Sequence, residues 1–264
     1  MLQELDFKGQ TALVLGASQG IGLATAQTLV AYGATVILAA RSLTVIEQQA
    51  NEIDPAGIKA LAVHCDVVNY ESVVNAIGFA IENTGRLDVL VNNAGVIEPL
   101  VRLVDSDPAV WGDAIDINCK GVYHGMRAAI PIMLKQGNGT IVNMSSGAAN
   151  SALIGWSHYC ASKAAAKKLT ETAHKELVGK NIRVVGLSPG TVATNMMQKI
   201  RDAKINAVSD LDWSTHIPAQ WVGEAVAFLC GDSGDEFAGA DFSLKTAQGR
   251  KSIGLPTESA SDGG

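Results

Sequence analysis

The chain has 264 residues, 47% of them apolar, with 20 Lys+Arg against 26 Asp+Glu, a net charge of −6 and a mean hydropathy of +0.18. Such a chain can bury a large core without disulfide or metal staples, and its charge argues against a nucleic-acid or anionic-membrane partner, which would want a basic patch. No run approaches the roughly 18 apolar residues of a membrane span, and 17% charged residues argue against global disorder.

Residues 1–10 carry Glu4 and Asp6 and lack an apolar stretch, so they do not read as a signal peptide. Cys65, Cys119, Cys160 and Cys230 lie far apart, with no CxxC and no Cys/His cluster. They read as free thiols of a reducing cytoplasm, with no metal site.

The first strand is expected at 11–15. It runs into Gly16-Ala17-Ser18-Gln19-Gly20-Ile21-Gly22, where a helix over 20–32 begins. Glycines at such a turn let the backbone approach a pyrophosphate, whose charge sits against the helix N-terminus. The spacing is G-x-x-x-G-x-G, not the more familiar G-x-G-x-x-G. A second strand at 35–39 leads to Ala40-Arg41, where an NAD-selective site would place a carboxylate for the ribose. Ala40 offers none, while Arg41 can clamp a 2′-phosphate, which points to NADP(H) with NAD(H) as the lesser option.

Helices near 43–53, 70–84, 109–135, 157–179 and 218–230 then alternate with strands at 59–64, 89–92, 140–143, 182–187 and 241–244. The strands are continuously apolar, which means burial on both faces of a parallel sheet. The expected fold is therefore α/β: one doubly wound, Rossmann-type domain over 1–248 with about seven strands. Residues 191–217 form a long excursion that reads as a substrate lid, and 249–264 as a fraying tail.

Tyr159 and Lys163 stand one turn apart on the helix near 157–179 and so share a face. A phenol with a pKa of about 10 is a poor acid at neutral pH, and a neighbouring ammonium can lower it by roughly 1–3 units. Tyr159 is thereby a candidate general acid/base.

At this point the chain resembles the short-chain dehydrogenase/reductase family. The matching pieces are 16–22, Cys65-Asp66-Val67, Asn92-Asn93-Ala94-Gly95, Asn118, Ser146, Tyr159-x-x-x-Lys163 and Pro189-Gly190, in the family's order over residues 7–246. The resemblance implies a catalytic set of Asn118, Ser146, Tyr159 and Lys163. Tyr159 would exchange a proton with the substrate oxygen and Ser146, rather than Ser145, would bond that oxygen. Lys163 would lower the Tyr159 pKa and bond the nicotinamide ribose, with Asn118 holding a water that relays protons to it. It also implies cofactor contacts from Gly16, Ser18, Gln19, Gly20, Ile21, Gly22 and Arg41 at the phosphates. Asp66 and Val67 would lie at the adenine, Asn92 and Gly95 at the riboses, and Pro189, Gly190 and Thr194 at the nicotinamide.

Two stretches depart from the family pattern. Leu15 stands where a turn-bracing Thr is usual, and Phe237–Lys245 replaces the common Val-Asp-Gly-Gly ending. Residues 155–159 and 196–201 resemble the sepiapterin/benzil reductase branch, which places Leu153, Trp156, Met196 and Met197 around an apolar substrate pocket. His158, next to Tyr159, reads as a packing residue, because neighbours on a helix point in different directions.

The function so implied is an NADPH-dependent carbonyl reductase, reversible as an alcohol dehydrogenase. A 3-oxoacyl-carrier-protein reductase and a non-catalytic NADP(H)-binding sensor are the alternatives. The family also implies a homotetramer or dimer through a four-helix contact of 109–135 and 157–179, whose Ala128, Ala129, Ala164, Ala165 and Ala166 permit close packing. Partners are otherwise a small-molecule substrate, with no nucleic acid and no membrane.

Overall fold

Continuous apolar runs become strands buried on both faces. In the computed structural model, which describes residues 5–257, they are Thr11–Leu15 (β1), Thr35–Ala40 (β2), Ala60–His64 (β3), Val89–Asn92 (β4), Gly139–Met144 (β5), Ile182–Ser188 (β6) and Asp241–Ser243 (β7). Each lies within one residue of its expected bounds. All pair in parallel, in the order β3-β2-β1-β4-β5-β6-β7. The order reverses between β1 and β4, and a crevice opens there beyond the carboxyl ends of the strands.

The described helices are Gly20–Ala31 (α1), Leu43–Ile53 (α2), Tyr70–Thr84 (α3), Pro108–Ile115 (α4), Gly121–Gln136 (α5), Ser157–Glu176 (α6), Asn195–Ala203 (α7), Ala219–Cys230 (α8) and Ala247–Ser252 (α9). Residues of α1, α2 and α8 close one hydrophobic cluster over the sheet, and residues of α3, α5 and α6 close the other. This is the three-layer arrangement that the strand pattern requires.

Three expectations are corrected. The helix expected over 109–135 is divided by a π-helical turn, Asp116–Lys120, between α4 and α5. A π turn is confined to a few residues inside one helical run, too short a stretch for periodicity to locate. The helix expected to reach 179 ends at Glu176, and Gly179 follows with a left-handed φ of 75°. The tail expected to fray from Gly249 is instead ordered as far as residue 257. Thr246 caps α9 by accepting the Gly249 amide at 3.0 Å, and Ile253 is buried in the core beside α1 and α8. Residues 258–264 of that tail lie outside the described residues.

The excursion 191–217 is also ordered. A parallel bridge, Val192 to Ile217, closes its base, and Thr194 caps α7 through the Met197 amide. Ile200 and Met197 bury the inner face of α7 in a third, smaller apolar cluster with Ile97, Ala148 and Trp156.

Candidate active site

The β1–α1 turn is built around glycine. Gly16 has φ +83°, and a Cβ there would stand 2.7 Å from Ala94 Cα; on Gly22 it would stand 2.2 Å from the Gly16 carbonyl. Asn93 Nδ2 donates to that same carbonyl at 2.8 Å and braces the turn from β4, where Leu15 offers no hydroxyl. No side chain caps the first turn of α1, and Gln19 Oε1 instead accepts from Asn195 Nδ2 of α7 at 2.7 Å. Uncapped amides over a glycine turn are a ready anion cradle.

From this turn a cleft of about 690 Å³ runs to Tyr159 and Lys163. Ser18, Gln19, Gly20, Ile21, Arg41, Asp66, Val67, Gly95, Pro189, Thr194 and Met196 line it with them. The volume and the cradle at one end fit a dinucleotide. Arg41 is exposed and makes no hydrogen bond or ion pair among the described residues, and Ser42 beside it starts α2 without capping it by its side chain. Both are free to meet an anion. The Asp66 carboxylate accepts the Val68 amide at 3.1 Å, which fixes its loop.

Three expected cofactor residues face elsewhere. Asn92 is buried, donates to Asn143 Oδ1 at 2.7 Å, and leaves room for no Cβ on Gly125, which would come within 2.0 Å of its Oδ1. It ties β4 to β5 and packs against α5 at Gly125; strand alternation turns Asn93, not Asn92, into the cleft. Gly22 packs on the turn itself. Gly190, φ +80°, backs onto Lys245, whose Cγ a Cβ would meet at 2.9 Å.

At the far end, Lys163 is buried and its ammonium donates to the Met144 carbonyl at 2.7 Å, 5.6 Å from the Tyr159 ring centre. Burial pushes Lys163 down to about 8, against the charge of Asp241, and pushes the Tyr159 phenol up to about 12, against the Ser146 hydroxyl. On the phenol desolvation outweighs the Ser146 hydrogen bond, and the Lys163 ammonium is committed to a main-chain oxygen. Ser145 lines the cleft, but its hydroxyl donates to Asp241 Oδ2 at 2.6 Å; Ser146 is not among the lining residues, and its Oγ accepts the Ala148 amide at 3.2 Å beside the Tyr159 phenol. Asn118 projects from the π turn. Its amide bonds Val96 in both directions, at 2.8 and 2.9 Å, and donates to Ser162 Oγ at 3.3 Å, so the side chain anchors the loop after β4.

Of the expected substrate-pocket residues, Met196 lines the cleft and Leu153 is half-buried nearby. Trp156 and Met197 are core residues of the small cluster that includes the inner face of α7; Trp156 stands edge-on to Tyr159 at 5.6 Å and backs it. His158 is buried with Nε2 2.8 Å from the Ile97 carbonyl, and burial lowers its pKa, in keeping with packing. Sequence reasoning missed Glu98 and Lys199, which pair across the mouth of the cleft, and Ile97 and Ala193 in its wall. No local pattern signals the ion pair, because its partners are 101 residues apart. Among the described residues there is no His/Cys/Asp/Glu group able to hold a metal, and no helix is long and apolar enough to cross a membrane.

The profile of the short chain dehydrogenase family matches residues 10–205. A 3-oxoacyl-[acyl-carrier-protein] reductase, FabG of Thermotoga maritima, is 33% identical over 238 residues, covering 89% of this chain and 96% of that protein. Two solved structures share the fold at 28% identity, each covering 90% of this chain and 98% of their own. They are the 3-ketoacyl-(acyl-carrier-protein) reductase of Brucella melitensis complexed with NADH, with a TM-score of 0.81, and an NAD+-bound xylitol dehydrogenase, with a TM-score of 0.83.

Proposed function

The chain belongs to the short-chain dehydrogenase family of oxidoreductases acting on CH–OH and C=O groups, and from that premise we propose that it reduces a medium-sized or aromatic ketone, aldehyde or diketone with NADPH. The observation that carries this reading is the single cleft joining the glycine turn and Arg41 to Tyr159 and Lys163. The nicotinamide supplies the hydride, and the chain's own groups supply position and the proton. Tyr159 donates its phenolic proton to the carbonyl oxygen. Ser146, whose hydroxyl is not drawn away as that of Ser145 is, bonds the same oxygen and orients it. Lys163, at the floor of the cleft, favours negative charge on Tyr159 once the proton has left. Asn118 anchors Val96 and so holds the loop wall in place.

Preference for NADP(H) is supported by the free Arg41 and Ser42 and by Ala40 in place of a carboxylate. The apolar wall of Ile97 and Met196 supports a carbonyl of modest polarity. A cytoplasmic site of action is supported by four free cysteines. Assembly into a tetramer or dimer is supported by Val110, Tyr123 and Leu134, all exposed on α4 and α5. Ala129 and Ala166 lie in the core, however, which leaves Ala128, Ala164 and Ala165 for any close contact.

The second reading, a 3-oxoacyl-carrier-protein reductase, is favoured by the Thermotoga relative. Against it, the basic groups of the lid are largely engaged within the chain: Lys199 pairs with Glu98, and Arg201 lies over Trp213 at 5.9 Å. Few remain to meet an acidic carrier. The test follows loss of reduced-nicotinamide absorbance with NADPH or NADH against aromatic ketones, 1,2-diketones and an acetoacetyl thioester, with Tyr159→Phe as control. NADPH-dependent turnover of ketones, abolished in the variant, is expected. Turnover of the thioester alone would favour the second reading, and NADPH binding without turnover would return the sensor.

A further inference from the structure

The catalytic end of the cleft has a charged neighbour that does not line it. Asp241 opens the edge strand β7, in the stretch 237–245 where the sequence departs from the family's usual ending. Its register partner on β6 is Gly186, and a Cβ on Gly186 would stand 1.8 Å from Asp241 Oδ1. Glycine at 186 is thus what lets this carboxylate lie across β6. On the far side it meets the end of β5, where Ser145 Oγ donates to Oδ2 at 2.6 Å. One side chain therefore spans three strands, with Oδ1 buried and without a hydrogen-bond partner.

The charged groups facing Asp241 are Lys167, Glu171 and Lys163, all on α6. Lys167 donates to Asn150 at 2.7 Å, Glu171 pairs with Lys168 on the surface, and Lys163 donates to Met144. None makes an ion pair with Asp241, but its partner Ser145 directly follows Met144, whose carbonyl takes the Lys163 ammonium, so the carboxylate is held one residue along the chain from the lysine's anchor. Of the three, Lys163 alone lines the cleft.

We propose that Asp241 is a positioning residue for the reaction, a carboxylate held across Gly186 by Ser145 so that its charge keeps Lys163 an ammonium at the catalytic end. The proposal rests on the oxidoreductase reading of the site. Burial drives Lys163 towards its neutral amine, and a neutral amine cannot favour charge on the Tyr159 oxygen. Among the described residues Asp241 is the charge that opposes that loss. Burial also raises the carboxyl pKa of Asp241 while the Ser145 hydrogen bond lowers it, so Ser145 sustains the charged form as well as the position.

The test is Asp241→Asn, which keeps the shape and an acceptor for Ser145 but removes the charge. The titration midpoint of Lys163 is read by NMR of 13C-lysine-labelled protein without cofactor, the signal being assigned with Lys163→Arg. The midpoint is expected to fall by about 0.5–1 pH unit in Asp241→Asn, the scale of one nearby charge. The alkaline limb of turnover should move down with it, leaving turnover near neutral pH less affected. Asp241→Thr, smaller and also uncharged, provides the same reading if the first variant folds poorly. An unshifted midpoint in a folded variant, or a loss of turnover uniform across pH, overturns the proposal. A wild-type chain that turns over no carbonyl would refute the oxidoreductase reading instead, and the NMR midpoint would still decide whether Asp241 governs Lys163.

Discussion

The Lys163 ammonium donates to the main-chain carbonyl of Met144 at 2.7 Å, tying α6 to the end of β5 at the floor of the cleft. The hydrogen bond fixes the lysine below Tyr159, one helical turn earlier, with both side chains lining the cleft. It also keeps a cation in the interior, where burial has a measurable cost.

That cost sets a pH dependence of stability. The Lys163 amine holds its proton to about 8 when folded, against 10.5 as its ordinary value. Below pH 8 the buried ammonium therefore costs the folded state about 3 kcal/mol. Between pH 8 and 10.5 the unfolded chain binds more protons, so stability rises with pH. Tyr159 acts later and in the opposite sense: its protonated phenol stabilises fully below pH 10, and that stability is lost as pH rises towards 12. Urea unfolding should accordingly show wild type gaining about 2 kcal/mol relative to Lys163→Met between pH 7.5 and 10. A constant difference would mean that Lys163 is not desolvated.

The two serines after β5 should separate in kinetics. Tyr159→Phe removes the proposed proton donor and should lower kcat by about 10²–10⁴-fold without loss of fold. Ser146→Ala should lower kcat by roughly 10²-fold, as loss of one donor to a developing oxyanion does. Ser145→Ala should cost less than Ser146→Ala at neutral pH, since its hydroxyl is turned to Asp241. The reverse order would give the substrate contact to Ser145.

Arg41 should decide between the two nicotinamide cofactors. Because it is exposed and unpaired among the described residues, its removal leaves no buried group unsatisfied. Arg41→Ala should weaken NADPH by about 10- to 100-fold, the scale of a charged hydrogen bond, and NADH far less. Equal losses, measured by fluorescence titration, would remove Arg41 from 2′-phosphate recognition.

Glycines in two helices should respond in opposite ways to alanine. At Gly22, in α1, a Cβ would fall 2.2 Å from a main-chain oxygen and 2.5 Å from Asn93 Nδ2. Gly22→Ala should cost about 1–3 kcal/mol and loosen the cofactor turn. At Gly78, in the middle of α3, a Cβ would meet nothing within 4 Å. Gly78→Ala should stabilise the chain by about 0.5–1 kcal/mol. Thermal unfolding of the pair checks both signs at once.

Much of this protein was legible in the order of its residues. Strand positions follow from continuous apolar runs, and the cofactor turn from glycines that only one backbone geometry needs. The shared face of Tyr159 and Lys163 follows from the helical repeat. Each depends on chain geometry over a few residues, which the sequence determines locally. Which way the side chains finally face depended on contacts between distant segments. Only the assembled sheet turns Asn93 rather than Asn92 to the cleft and commits Ser145 to Asp241 across Gly186. Packing of α7, likewise, buries Trp156 and Met197 as core and brings Lys199 to Glu98. The Tyr159 and Lys163 pKa values belong to the same class, because burial by the whole fold outweighs the one-turn spacing that placed them together. Desolvation and long-range pairing are properties of the packed structure, and no local repeat encodes them.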